Sequence, residues 1–236
     1  MPVVASSRAA KFEAQPGGGW RFAEWASPRV AAGLTDRHVD RRVLWSTERS
    51  DCVIEAEQVH GAGVAVIDGR RALPAPLAGC DALITCRAGV ALVVRTADCL
   101  PIFVADAKRG VIGIAHAGWR GLAAQLPMRM MATLRHVFQC RADELDVAIG
   151  PAIRSCCYEV GPEFAGRFGA FVTQDAGRRT CDLIGVAVDQ LRRCGVRAQR
   201  ILDSGICTSC DAERWFSLRR EGAATGRLTS FIMLRP

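Results

Sequence analysis

His60, Cys99 and His116 lie in three short stretches, QVHG (58–61), TADC (96–99) and AHAGWRG (115–121), of a chain with only four histidines. Two imidazoles and a thiolate make a soft, tetrahedral donor set suited to Zn²⁺, and three protein ligands leave the fourth position for water or substrate. The set therefore predicts a catalytic rather than a structural metal. Cys99 has a second possible role, as a nucleophile with His116 as its base, and spacing alone leaves both roles open. Asp98, beside it, is a candidate proton carrier or an acceptor that orients a ligand. His38 and His136 lack glycine-rich or cysteine-containing surroundings and are read as structural.

The elements that must position these residues are legible from residue 61 onward. GAGVAVID (61–68), CDALIT (80–85), GVALVVRT (89–96), LPIFVAD (100–106) and GVIGIAHA (110–117) read as strands, with a PAPLAG loop (74–79) and an AKRG turn (107–110) between them. His116 thus ends a strand, and the glycines at 118 and 121 let backbone approach a ligand. The helix that follows could receive an anion at its N-terminus. Leu122, Leu126, Met130, Leu134 and Phe138 form one helical stripe, in which Pro127 must either sit in the first turn or kink the helix. LDVAIGPAI (145–153) returns to strand and GPEFAGRF (161–168) to a short helix. Asp182 caps the helix LIGVAVDQLRRCG, which Gly195 ends. RILDS (200–204) and TSFIML (229–234) are strands flanking WFSLRR (215–220). Residues 1–56 show little alternation, and QPGGGW (15–20) marks a turn, so loops and short edge strands are expected there. Without repeats or linkers, residues 1–236 read as a single α/β domain.

Composition narrows the partners. Half of the residues are hydrophobic, enough for a sizeable core. No apolar run reaches the length of a membrane span, and MPVVASSRAAKF lacks the apolar stretch of a secretory signal, so a cytoplasmic protein is expected. The net charge of +7 comes almost wholly from scattered arginines, unlike a nucleic-acid tail and suited to anionic small molecules. Eleven cysteines are many, but a chain of this size needs no disulfide staples. Cys156–Cys157 and the CTSC at 207–210 stand out, yet a zinc ribbon needs a second C-x-x-C, so CTSC is read as structural. A multicopper oxidase needs about a dozen metal ligands, mostly imidazoles, which excludes a conventional laccase.

Taken together, QVHG, CDALIT, TADCLPIFVAD, GVIGIAHAGWRGL, AIGPAI (148–153), YEVG (158–161), an Asp-Leu helix start, CTSC, WFSLRR, TGR (225–227) and FIML (231–234) resemble the purine nucleoside phosphorylase and polyphenol oxidase (laccase-domain) family that includes the YfiH-like proteins. The resemblance runs from about residue 57 to the end. It implies a single-domain, four-layer α/β/β/α sandwich with mixed β-sheets, a fold shared with a bacterial deamidating toxin that uses a Cys–His pair. It also implies zinc on His60, Cys99 and His116. The implied activity is phosphorolysis of adenosine, inosine and S-methyl-5′-thioadenosine, with adenosine deamination in the same site. An alternative it implies is a Cys–His hydrolase or amidase that edits a peptidoglycan precursor.

Deamination would use zinc-activated water on C6 of the purine, with Asp98 as proton carrier. Phosphorolysis needs an arginine on the phosphate: Arg120 is the first candidate, and Arg219 or Arg220 could complete the pocket. The expected partners are a small purine nucleoside and phosphate, with neither nucleic acid nor membrane, in a monomer or small homo-oligomer. Two departures stand out. The chain has no asparagine, so the family's S-L-N-L-G stretch has Val30-Ala31-Ala32-Gly33 as its nearest equivalent, and Leu218 replaces an aromatic. A degenerate relative that binds zinc or nucleoside without turnover is a third reading.

Overall fold

The computed structural model describes residues 12–15, 19–22, 25–41, 52–68 and 76–236. The QPGGGW and PAPLAG turns lie partly outside them. Two six-stranded mixed sheets form the body. The first runs β1 (Phe12–Ala14), β2 (Trp20–Phe22), β3 (Val30–Leu34), β14 (Leu228–Leu234), β7 (Val90–Thr96), β4 (Cys52–Glu55). The second runs β13 (Ile201–Asp203), β10 (Asp146–Ile149), β8 (Leu100–Asp106), β9 (Val111–Ala117), β6 (Ala82–Thr85), β5 (Val64–Ile67). β4–β7, β5–β6 and β10–β13 pair in parallel; the other pairs are antiparallel.

The near-continuous apolar runs follow from burial on both faces. In β8, Phe103 and Ala105 point between the sheets, while Leu100, Ile102 and Val104 point to the helices. Strands β6 and β9 alternate in the same way, Leu83, Ile112 and Ile114 meeting Leu34, Leu92, Val94 and Ile232 of the first sheet. The helical layer on the second sheet consists of α1 (Trp119–Ala123), α2 (Leu126–Phe138) and α4 (Leu183–Arg193), with the shorter α3 (Glu163–Phe168) beside it. Gly113 lets α2 approach: a Cβ there would meet Met130 Cε at 2.4 Å. No helix among the described residues is long and apolar enough to cross a membrane.

The expected stripe from Leu122 to Phe138 is two helices rather than one, because Gln125 adopts a left-handed φ of 62° between them. Pro127 then falls in the first turn of α2, where its missing N–H costs nothing. Asp182 caps α4 as expected, accepting from Gly185 N at 2.9 Å, and Gly195 follows its end with φ 98°.

The expectation of loops and edge strands before residue 57 fails for β3. Its five residues are buried, between β2 and β14. Its VAAGL sequence shows no alternation because both faces are covered: Ala32 and Leu34 face the second sheet, while Ala31 joins Val93, Phe231 and Met233 on the outer face. A hairpin, β11 (Val172–Asp175) and β12 (Arg178–Cys181), was not foreseen, since its polar residues carry no hydrophobic signal.

Candidate active site

The three donors converge. The ligand atoms of His60, Cys99 and His116 all lie within 4.8 Å of one another, and the two imidazoles meet edge to face, centroids 4.8 Å apart. β8–β9 pairing accounts for part of this. Pro101 is registered opposite His116, so Cys99, just before β8, falls beside the end of β9. Gly118 closes the corner: a Cβ there would lie 3.0 Å from Cys99 Sγ and 3.5 Å from His60 Cδ2. His116 is buried, Cys99 half-buried and His60 exposed, so the cluster opens toward solvent on the His60 side.

Asp81, which sequence reasoning passed over, organises the cluster. Its fully buried carboxylate faces His116 Nδ1 at 2.9 Å and accepts from the backbone N–H of His60 (3.0 Å) and Gly61 (2.7 Å). Its own carbonyl accepts from His116 N at 2.8 Å. The carboxylate thus fixes the His116 tautomer, leaving Nε2 for the site. It also holds QVHG in an unusual shape, with Gln58 and His60 at φ 66° and 59°. Gln58 completes the clamp through its side-chain amide, which pairs with Arg95 N and O at 2.8 and 2.6 Å. The clue in the sequence was an acid at the start of the strand that flanks the His116 strand.

Charge follows from this geometry. Burial raises the Cys99 thiol, but hydrogen bonds from His116 and His60 outweigh it and bring the group down to about 7. Burial lowers His116, yet Asp81 and then Cys99 push it up to about 9. For Asp81, burial acts upward, and the His116 and Gly61 hydrogen bonds bring it net below the usual carboxylate value. Near neutral pH the metal-free cluster is therefore a thiolate–imidazolium pair.

The other expected site residues divide. Asp98, at φ 92°, has both oxygens occupied: Oδ1 accepts from Thr208 Oγ1 and Oδ2 from Arg219 N, each at 2.6 Å. That geometry favours an anchor over a proton carrier. Arg220 is committed to the fold, donating to the carbonyls of Thr208, Ser209 and Trp215 and to Glu221, so it is not the anion ligand expected. α1 spans only five residues, too few to supply the anion-binding helix terminus expected after AHAG. Arg120 is exposed and stacks on Trp119, 4.5 Å from the ring centroid. Arg219 lies 5.0 Å from the Tyr158 centroid and donates to Glu159 O. Trp119 and Tyr158 both pack on Phe164. Burial, and the charges of Cys99 and Asp98 among its neighbours, push the Tyr158 phenol up to about 12, so this tyrosine borders the site. Sequence reading missed this aromatic wall because its members come from three separate segments. A cavity of about 470 Å³ lined by Arg21, Phe22, Trp25, Val30 and Arg235 shares no residue with the cluster. Chemistry, not concavity, identifies the site.

Comparison with known proteins agrees with this layout. The purine nucleoside phosphorylase of Xylella fastidiosa (strain Temecula1) is 38% identical over 180 residues, 70% of this chain and 65% of that protein. The chain therefore spans just under two thirds of that relative's length. Adenosine deaminase RL5, from an unknown prokaryotic organism, is 35% identical over 196 residues, 75% of this chain and 73% of the relative. The solved structure of YlmD from Geobacillus stearothermophilus superposes with a TM-score of 0.87 at 28% identity, covering 96% of this chain and all of that one. Residues 36–235 match the family described as "Multi-copper polyphenol oxidoreductase laccase", and the chain belongs to that family.

Proposed function

We propose that the chain is a metal-dependent purine nucleoside enzyme. It phosphorolyses adenosine, inosine and S-methyl-5′-thioadenosine and deaminates adenosine at the same site. The observation that carries this reading is the convergence of His60, Cys99 and His116 with Asp81 behind His116, the arrangement in which a carboxylate orients a metal-binding imidazole. The donor set fits Zn²⁺: two imidazoles, a thiol already inclined to ionise, and an open side at exposed His60. Copper chemistry of the multicopper kind does not fit four histidines, whatever the family's description. Bound there, zinc supplies Lewis acidity to a substrate oxygen or water.

The residues around it perform the rest. Asp81 keeps His116 Nε2 aimed inward. Asp98 fixes the TADC turn through Thr208 and the Arg219 amide, so it positions Cys99. Trp119 and Tyr158 offer flat faces to a purine. Arg120, beside Trp119, and Arg219, beside Tyr158, supply guanidinium donors for phosphate. Names of the relatives support the substrate class: purine nucleoside phosphorylase and adenosine deaminase.

The test is a metal-quantified preparation incubated with adenosine and phosphate, the products resolved as adenine, inosine and hypoxanthine. Adenine or inosine that disappears in a folded Cys99→Ala variant supports the reading. Turnover retained in that variant removes the cluster from the chemistry. One observation favours a second reading: the thiolate–imidazolium pair, with Asp81 behind the imidazole, is also the arrangement of a Cys–His hydrolase. That enzyme would be killed by Cys99 alkylation and indifferent to chelation.

A further inference from the structure

A second sulfur cluster lies outside the site just described. The Sγ atoms of Cys156, Cys157, Cys207 and Cys210 all fall within 4.8 Å of one another. Cys210 Sγ is 3.6 Å from Cys156 Sγ and 3.4 Å from Cys157 Sγ. Four sulfurs around one ion at about 2.3 Å stand about 3.8 Å apart in a tetrahedron. A disulfide would need about 2.05 Å, and these four cysteines are free. We propose that Cys156, Cys157, Cys207 and Cys210 form a closed four-thiolate site for Zn²⁺.

The sequence concealed this site because only one C-x-x-C exists. The second pair of ligands comes from the turn after β10, carried to the CTSC turn by the parallel pairing of β10 with β13. Both turns are built independently of any ion. Cys157 N and Tyr158 N donate to Arg154 O at 2.9 and 2.8 Å, making the first turn. Thr208 N donates to Ala152 O at 3.1 Å, and Arg154 grips Asp203 with bonds of 2.9 and 2.6 Å, tying the two turns together. Cys207 is buried, yet backbone N–H groups of Arg154, Cys210 and Ser209 point at its sulfur and bring its ionisation net below the ordinary thiol value. N–H groups aimed at sulfur suit a bound thiolate.

Charge agrees. A divalent ion with four thiolates leaves two negative charges. Guanidinium groups attach to the backbone of the ligand turns, Arg178 on Cys156 O at 2.8 Å and Arg220 on Thr208 O and Ser209 O at 2.8 and 2.9 Å. With no open ligand position the ion is structural. Its mechanical output is specific: Thr208, inside the CTSC turn, holds the Asp98 carboxylate one residue from Cys99.

The experiment counts zinc per chain in protein purified under reductant, for wild type, Cys99→Ala, Cys156→Ser and Cys210→Ser, with circular dichroism to check folding. Cys99→Ala, whose four thiols are native, should keep one tightly held zinc. Reloaded with Co²⁺, it should show the intense sulfur-to-cobalt charge-transfer absorption of a four-thiolate tetrahedral site. Folded Cys156→Ser, which alters an exposed ligand, should lose that absorption in the Cys99→Ala background. Were Cys210→Ser to fail to fold, Cys99→Ala and Cys156→Ser would still decide the matter. A folded Cys99→Ala protein without zinc or cobalt absorption would overturn the proposal. So would a disulfide among these four cysteines in the reduced preparation.

Discussion

At the residue scale the account rests on one thiol, two imidazoles and one carboxylate that share a small volume. Asp81→Asn keeps an oxygen for the His60 and Gly61 amides but loses the charge behind His116. Metal affinity should fall about 10–100-fold with little change in fold, read by competition with a chromogenic chelator; unchanged affinity would remove Asp81 from its orienting role. The low ionisation of Cys99 gives a pH signature. In metal-free protein, site-resolved alkylation of Cys99 should rise with pH through about 7, whereas buried Cys140 and Cys181, pushed up to about 12 and about 11, should stay unreactive there. A Cys99 profile inflecting near the ordinary thiol value would refute the thiolate–imidazolium pair. His60, Cys99 and His116 were legible because histidine is scarce and each stands beside glycine or a strand end. Asp81 was not, because its role depends on which strand pairs with β9. Arg220 was misread because an arginine in sequence does not disclose whether carbonyls have already claimed its donors.

At the element scale, what could be read was what is buried. β7, β8 and β9 appear as apolar runs because each strand is sandwiched on both faces, and their bounds fall within a residue or two of the expected ones. β3 escaped because two alanines and a glycine in five residues give no pattern, although the strand is central. Gly33 carries the reason for its composition: a Cβ there would stand 2.4 Å from Trp20 O, a backbone atom that cannot step aside without breaking the β2–β3 pair. Gly33→Ala should therefore destabilise the protein by about 1–3 kcal/mol through overpacking, seen as a lower denaturant midpoint. A midpoint equal to wild type would show that β2 yields freely. The β11–β12 hairpin was missed for the opposite reason, since exposed polar strands leave little trace in hydrophobicity.

At the scale of the whole molecule, two mixed sheets packed face to face, with helices on the second, bring three ligands from distant segments to one corner. The fold was legible as a class from its many short strands and, through the resemblance, as a sandwich of mixed sheets. The meeting of Cys156–Cys157 with CTSC was not, because it depends on β10 pairing with β13. The buried Asp81 also links the site to global stability. Its folded pKa lies below the unfolded value, so its contribution is present above that value and is lost as pH falls through the depressed one. In metal-free protein, the unfolding free energy should thus drop more steeply below about pH 4 for wild type than for Asp81→Asn. Equal slopes in the two proteins would contradict the shift.

The most direct test of the central claim is a zinc titration of chelator-stripped protein, following nucleoside turnover and site-resolved Cys99 alkylation together. The account predicts that turnover rises as zinc fills the His60–Cys99–His116 cluster while Cys99 becomes protected. Full activity in the stripped protein, abolished by Cys99 alkylation and suppressed by added zinc, would contradict it and make the chain a Cys–His hydrolase.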